Sequence, residues 1–114
     1  VVREDLTRYV RGARALGKKV VGYGAPAKAT VLMNYCEFTP LDIDYVVEDS
    51  VLKRGKLIPG VHVPIVSPQA LQEAPPDVIV VWPWNYFDAL VPKIRSLAPK
   101  ATIVRPMPTF LEVR

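Results

Sequence analysis

A glycine-containing turn is the strongest chemical signal in the sequence. Residues 22–27 read Gly-Tyr-Gly-Ala-Pro-Ala, follow an apolar run and precede a helical pattern, so they fit the G-x-G-x-x-G/A motif in its required context. We expect Gly22 to permit the tight turn, Gly24 to let backbone approach a ligand, and the small Ala27 to let the helix pack closely. Free N–H groups at a helix start favour an anion, so the turn predicts a phosphate site.

Charged residues near this turn extend the predicted site. Lys28 lies just inside the helix, where it is either a charge-assisted phosphate contact or a solvated helix lysine. Dinucleotide-binding proteins place an acidic residue about 20 residues further on to bind a ribose hydroxyl, and Glu48 and Asp49 occupy that place. In the alternative interpretation, the glycines serve only the turn and Asp49 caps the following loop.

Trp84 and Asn85 follow the strongest strand pattern, the β-branched run at 77–82. Ligands of open α/β sheets bind outside the carboxyl ends of strands, so we expect both residues near Gly24. A tryptophan can stack on a base or sugar, and Asn85 can both donate and accept hydrogen bonds. Asn85 is alternatively the N-cap of the next helix.

The remaining reactive residue types favour structural roles. His62 is the only histidine and has no nucleophile or carboxylate at a telling spacing, which favours a surface or structural role over acid–base chemistry. Lys53, Arg54 and Lys56 either close over phosphates or form a mobile solvated loop. Cys36 is expected to be a small buried hydrophobe, and no Cys/His spacing indicates zinc. The sequence therefore indicates a binding site more clearly than a reactive one.

Helical and strand patterns alternate along the chain. This alternation predicts a Rossmann-like three-layer α/β/α fold with a mainly parallel sheet of about five strands, forming one domain over residues 1–114. The expected helices are 2–16, 26–35, 67–73 (capped by Ser67-Pro68) and 87–97. The expected strands are 19–23, 41–47, an edge strand at 61–65, 77–82 and 101–104, followed by an irregular tail at 105–114.

The composition bounds the class of protein. With 114 residues, half of them apolar and 23% charged, the chain is expected to fold as one globular domain. The net charge of +4 reflects either an ordinary surface or attraction to an anionic ligand, and the spread of the basic residues argues against nucleic acid. Neither a membrane span nor a secretory signal is evident, so we expect no membrane partner and a cytoplasmic location. The missing initiator Met suggests a domain of a longer protein.

Five segments occur together in an order found in one family. They are residues 22–28 (Gly-Tyr-Gly-Ala-Pro-Ala-Lys), 45–49 (Tyr-Val-Val-Glu-Asp), 56–60 (Lys-Leu-Ile-Pro-Gly), 63–65 (Val-Pro-Ile) and 82–85 (Trp-Pro-Trp-Asn). On these segments the chain resembles the C-terminal domain of S-adenosylmethionine-dependent sugar C-methyltransferases, which act on nucleotide-linked deoxysugars, typically thymidine-diphosphate-linked keto sugars. The Pro-Gly loop and the Trp-Asn element are more specific than the glycine turn.

The resemblance implies half of an active site. Zinc belongs to an N-terminal region and S-adenosylmethionine to a central methyl-donor domain, both outside this chain, so the fragment alone should be inactive. Its partners would be the nucleotide-linked sugar and the methyl-donor domain of the same full-length chain, with no nucleic acid. The expected substrate-binding residues are Gly22, Tyr23, Gly24, Ala25, Lys28, Asp49, Trp84 and Asn85, and no catalytic or metal-binding residue is assigned. The alternatives are a stand-alone NAD- or nucleotide-binding module and a non-catalytic scaffold domain.

Overall fold

Helices and strands alternate along most of the chain. The structure, a computed structural model, describes residues 2–24, 27–49, 54–107 and 110–114. Its helices are α1 (Val2–Ala15), α2 (Ala27–Tyr35), α3 (Ala70–Glu73) and α4 (Phe87–Leu97), with a 3-10 helix, Trp84–Tyr86, directly before α4. Its strands are β1 (Val20–Tyr23), β2 (Val46–Val47), β3 (Ile65–Val66), β4 (Val78–Val81), β5 (Thr102–Arg105) and β6 (Leu111–Val113). Across the described ranges, no helix combines the length and apolarity that a bilayer crossing requires.

The strands form one sheet in the order β3-β2-β1-β4-β5-β6. The first five pair in parallel, and β6 pairs with β5 in the antiparallel direction. The prediction of a mixed α/β fold with a mainly parallel sheet is therefore confirmed. The expected count of about five strands is exceeded because the tail contributes β6.

The central strands are buried on both faces, as their continuous apolar sequences predict. All four residues of β1 and of β4 are buried. Successive strand residues point to opposite faces, and they join different core clusters. Val80 belongs to a cluster with Val10 of α1 and Met33 of α2, whereas Val81 belongs to another with Ile94 of α4. Neighbouring residues of β4 thus belong to core clusters that include different helices.

Local turn chemistry shortens the predicted strand at 41–47 to β2. The Asp42 carboxylate accepts a hydrogen bond from the backbone N–H of Thr39 at 3.0 Å, and the Asp42 N–H donates to the Thr39 carbonyl at 2.9 Å. This side-chain-to-backbone pairing offers the chain a turn in place of a sheet ladder. Only Val46 and Val47 remain in strand geometry.

Two other predicted boundaries are wrong. The expected edge strand at 61–65 is displaced to β3, because the residues before it form a narrow loop in which the Ile58 N–H donates to the Val63 carbonyl at 2.8 Å. The expected helix at 67–73 begins later, at Ala70, and its N-cap is Gln69 with no side-chain capping bond. Ser67 therefore does not cap it through its side chain.

The end of the C-terminal tail forms β6, where an irregular segment was predicted. Its strand is anchored to α1, because the Tyr9 hydroxyl donates to Glu112 Oε2 at 2.5 Å. Arg114 Nε lies 2.8 Å from the other oxygen of the same carboxylate. The Tyr9 ring also packs against Phe110, with ring centroids 5.1 Å apart. A tail without a clear apolar alternation is thus held by contacts with distant residues.

We expect Tyr9→Phe to destabilise the fold at neutral pH and to have a smaller effect at pH 3. The hydrogen bonds from Tyr9 and Arg114 lower the pKa of Glu112 from its ordinary 4.5, so their stabilisation is complete above that value and is lost as the pH falls through the lower, folded-state pKa. Phenylalanine keeps the ring contact with Phe110, so the loss should be about 1–2 kcal/mol at pH 7. Urea unfolding at both pH values measures it. The exposed Tyr86→Phe is the control, and an equal loss at both pH values would contradict the assignment.

Candidate functional site

The candidate site lies where the strand order reverses. Strand β1 has β2 on one side and β4 on the other, both parallel to it. At such a strand, the chain connections run to opposite sides of the sheet. They form a crevice outside the carboxyl end of the strand, where open α/β sheets bind ligands. Gly24 follows β1 at this end, and Trp82 and Trp84 follow β4. The two sequence motifs therefore meet at one edge of the sheet.

Gly22 differs from its predicted role in the turn. It lies within β1 and pairs with Val46 and Val80 of the neighbouring strands. A Cβ at this position would lie 2.1 Å from Nε1 of Trp82, whose side chain is 0% exposed. The glycine is required because a fully buried indole lies directly over its Cα.

Gly24 is the residue that makes the turn. Its φ of +87° lies in the left-handed region, which glycine adopts without a steric penalty. Its N–H donates to the Val47 carbonyl at 2.7 Å, so this amide is already used. Ala25 lies outside the described residues, as does the side chain of Lys28. Phosphate binding by the turn therefore stays a prediction.

An apolar cavity lies between α2 and the segment after β4. Its volume is about 330 Å³, and it is lined by Ala27, Val31, Leu32, Trp84 and Met107. The first residue of α2 and the Trp84 indole thus border one space, as the position of both motifs at the carboxyl edge predicts. This space can accept a flat or apolar part of a ligand, because its walls provide dispersion contacts and aromatic stacking.

The 3-10 helix determines the positions of Trp84 and Asn85. The residue that precedes α4 is Tyr86, and it makes no side-chain capping bond. Asn85 is thus not the N-cap of α4; it lies inside the 3-10 helix and is exposed. Trp84 is partly buried, and it packs against the same core cluster as α1 and α2.

A polar cluster flanks the turn on the face that carries α4. The Tyr23 hydroxyl donates to Asp49 Oδ2 at 3.0 Å, and Lys93 Nζ of α4 lies 2.9 Å from the same oxygen. Burial and the Asp49 carboxylate raise the pKa of Tyr23, so its hydroxyl stays protonated and donates. The hydrogen bond with Asp49 raises the pKa of Lys93, which stays a cation. Asp49 is therefore held by two donors on different elements.

Arg54 supports the backbone that carries Asp49. Its guanidinium donates to the carbonyls of Glu48 and Asp49, at 3.0 and 2.8 Å. This use of Arg54 differs from both predicted roles of the basic loop, whose Lys53 lies outside the described residues. The carbonyls are thereby fixed at the end of β2.

Two other residues that were considered for chemistry have structural or surface positions. His62 is exposed and has a φ of +61°, and Cys36 is buried as predicted. Among residues 2–24, 27–49, 54–107 and 110–114, no group of three or more His, Cys, Asp or Glu side chains is placed to hold a metal ion.

Sequence reasoning missed Lys93 and Met107. A signal for Lys93 existed, because it lies three residues after Leu90 and four before Leu97, at the edge of the apolar stripe of α4. No sequence signal indicated Met107, since it lies in the tail, which shows no periodic pattern.

Comparisons with known proteins agree with the resemblance seen in the sequence. A family model described as the C-methyltransferase C-terminal domain matches residues 1–108. The chain is 38% identical over 90 residues to the C-methyltransferase NovU of Streptomyces niveus. The match covers 79% of this chain and 21% of that protein, so the chain corresponds to about a fifth of the relative's length.

Proposed function

Since the chain belongs to the family of C-methyltransferase C-terminal domains, we propose that it is the substrate-binding domain of an S-adenosylmethionine-dependent enzyme that methylates nucleotide-linked deoxysugars. One observation carries the substrate-binding role: the start of α2 and Trp84 line one cavity at the point where the strand order reverses. Crevices at such points are the usual nucleotide sites of open α/β sheets. The strand order and the two core clusters also support a Rossmann-like three-layer arrangement.

The proposed binding mode divides the substrate between two surfaces. The diphosphate lies at the start of α2, where Ala25 and Lys28 are expected to contribute and where helix amides favour an anion. The base or the sugar lies against Trp84, within the apolar cavity. Tyr23 contributes to substrate binding indirectly, because its hydroxyl donates a hydrogen bond to Asp49.

The rest of the enzyme is proposed to cover this site. S-adenosylmethionine, the source of the methyl group, and the zinc expected in an N-terminal region belong to parts outside this chain. Val31 and Tyr35 project from α2 beside the cavity, 67% and 56% exposed. Exposed apolar residues that adjoin a binding cavity are typical of a surface that a partner covers. The methyl-donor part of the enzyme is the occupant we propose, since the relative is several times longer than its match to this chain.

An NAD-binding module is the weaker alternative. In that reading Asp49 would bind the ribose of the dinucleotide. The Asp49 carboxylate, held by Tyr23 and Lys93, would serve the pentose of either nucleotide, so it does not distinguish NAD from a sugar nucleotide. The family membership favours the methyltransferase over this module and over a scaffold domain.

Methyl transfer by the whole enzyme tests the proposal. We expect the complete methyltransferase chain to move a labelled methyl group from S-adenosylmethionine to a thymidine-diphosphate-linked keto sugar, and the 114-residue chain alone to give no product. Calorimetric titration should show that the sugar nucleotide, and not NAD, binds the complete enzyme. Micromolar NAD binding without sugar-nucleotide binding, or turnover by the 114-residue chain, would overturn the proposal.

A further inference from the structure

Two donors converge on one oxygen of Asp49. The Tyr23 hydroxyl and Lys93 Nζ lie 3.0 and 2.9 Å from Oδ2. Among the described residues, Oδ1 of the same carboxylate has no hydrogen-bond partner. The Asp49 side chain is 48% exposed, so an approaching donor can reach it. A carboxylate can accept several hydrogen bonds, so Oδ1 can accept one from a ligand.

This carboxylate stands directly beside the turn. The Gly24 N–H bonds to the carbonyl of Val47, two residues before Asp49. Arg54 holds the Asp49 carbonyl, so the backbone under the carboxylate is fixed as well. A nucleotide whose phosphates lie at the start of α2 would bring its pentose close to this edge of the sheet.

The ion pair between Lys93 and Asp49 is expected to add little to the stability of the fold. Both side chains are about half exposed, at 50% and 48%. Such ion pairs contribute little to folding, because water screens the attraction and two long side chains lose freedom. The pair has a clearer effect on the orientation of Asp49. Two donors on one oxygen restrict the rotation of the whole carboxylate.

We propose that Lys93 and Tyr23 are positioning residues, which hold Asp49 through Oδ2 so that Oδ1 accepts a hydrogen bond from a pentose hydroxyl of the bound nucleotide. This inference rests on the proposed function and adds to it the group that binds the pentose, the Asp49 carboxylate. Hydrogen bonds that a carboxylate accepts are charge-assisted and exceed neutral ones, and the two donors on Oδ2 fix the direction in which Oδ1 points. The pentose is thereby fixed on the α4 side, while Trp84 contacts the substrate on the α2 side.

A pair of probes that differ by one hydroxyl tests the inference. Thymidine diphosphate and its 3′-deoxy analogue are titrated into the complete methyltransferase chain by calorimetry. We expect the loss of the hydroxyl to weaken binding about tenfold in the unaltered enzyme. Asp49→Asn should remove most of this difference by weakening only the hydroxyl-bearing probe. Lys93→Met and Tyr23→Phe should reduce it to about threefold, and Lys93→Arg should restore it.

Each result bears on a different claim. Lys100→Met removes an exposed lysine elsewhere and should leave the difference at about tenfold. Equal weakening of both probes by Lys93→Met would overturn the positioning role, since it would indicate general attraction to phosphate. Equal binding of the two probes to the unaltered enzyme would overturn the inference and leave the proposed function standing. Failure of thymidine diphosphate to bind at all would overturn both.

Discussion

Replacing Gly22 by alanine should destabilise the domain by about 3 kcal/mol or more, a large share of the 5–15 kcal/mol typical of a domain. The added Cβ would meet the Trp82 indole at 2.1 Å, and the indole is 0% exposed. Neither a strand backbone nor a fully buried ring can move away cheaply. Urea unfolding followed by far-UV circular dichroism measures the loss.

A matched glycine controls for backbone effects. Gly12 lies inside α1 with nothing within 4 Å of an added Cβ, so Gly12→Ala should stabilise by about 0.5–1 kcal/mol. If Gly22→Ala does not fold, the combination with Trp82→Phe keeps the test open, since the smaller ring should relieve part of the clash. Full stability of Gly22→Ala would refute the packing account.

Replacing Trp84 by alanine should weaken binding of a thymidine-diphosphate-linked keto sugar by about 10- to 100-fold. Stacking of a base on an aromatic side chain contributes about 1–3 kcal/mol, and tenfold in affinity corresponds to about 1.4 kcal/mol. Trp84 forms one wall of the apolar cavity at the carboxyl edge of the sheet. Calorimetric titration of the complete enzyme measures the affinity.

The control is a neighbouring aromatic residue in the same 3-10 helix. Tyr86 is 65% exposed and does not line the cavity, so Tyr86→Ala should leave the affinity within about twofold of the original. Trp84 also packs against the core, so the affinity is compared at a temperature where both variants are fully folded. Unchanged affinity in Trp84→Ala would remove the cavity from the substrate site.

Regular local patterns made much of the fold predictable. The β-branched run of β4 and the apolar stripe of α4 each carry a signal within a few residues. The end of α1 was equally clear, because Gly17 follows it with a φ of +79°. The tail was wrongly predicted, since β6 depends on Tyr9, at the opposite end of the chain.

The candidate site was predictable in its location and less so in its contacts. The edge of the sheet places Asp49 and Trp84 by topology alone, which a motif can anticipate. The contact of Lys93 with Asp49 and that of Trp82 with Gly22 result from packing between segments that are distant in the sequence. A glycine motif gives no hint of a neighbour that lies far along the chain. Gly22 was therefore assigned to the turn that Gly24 makes.

The two borders of the sheet have a consequence for association between molecules. Strand β3 has two residues and β6 has three, and a proline directly precedes β3. A second chain that tried to extend the sheet would find few backbone groups to pair with at either border. The protein should therefore resist aggregation by strand addition, although half of its residues are apolar.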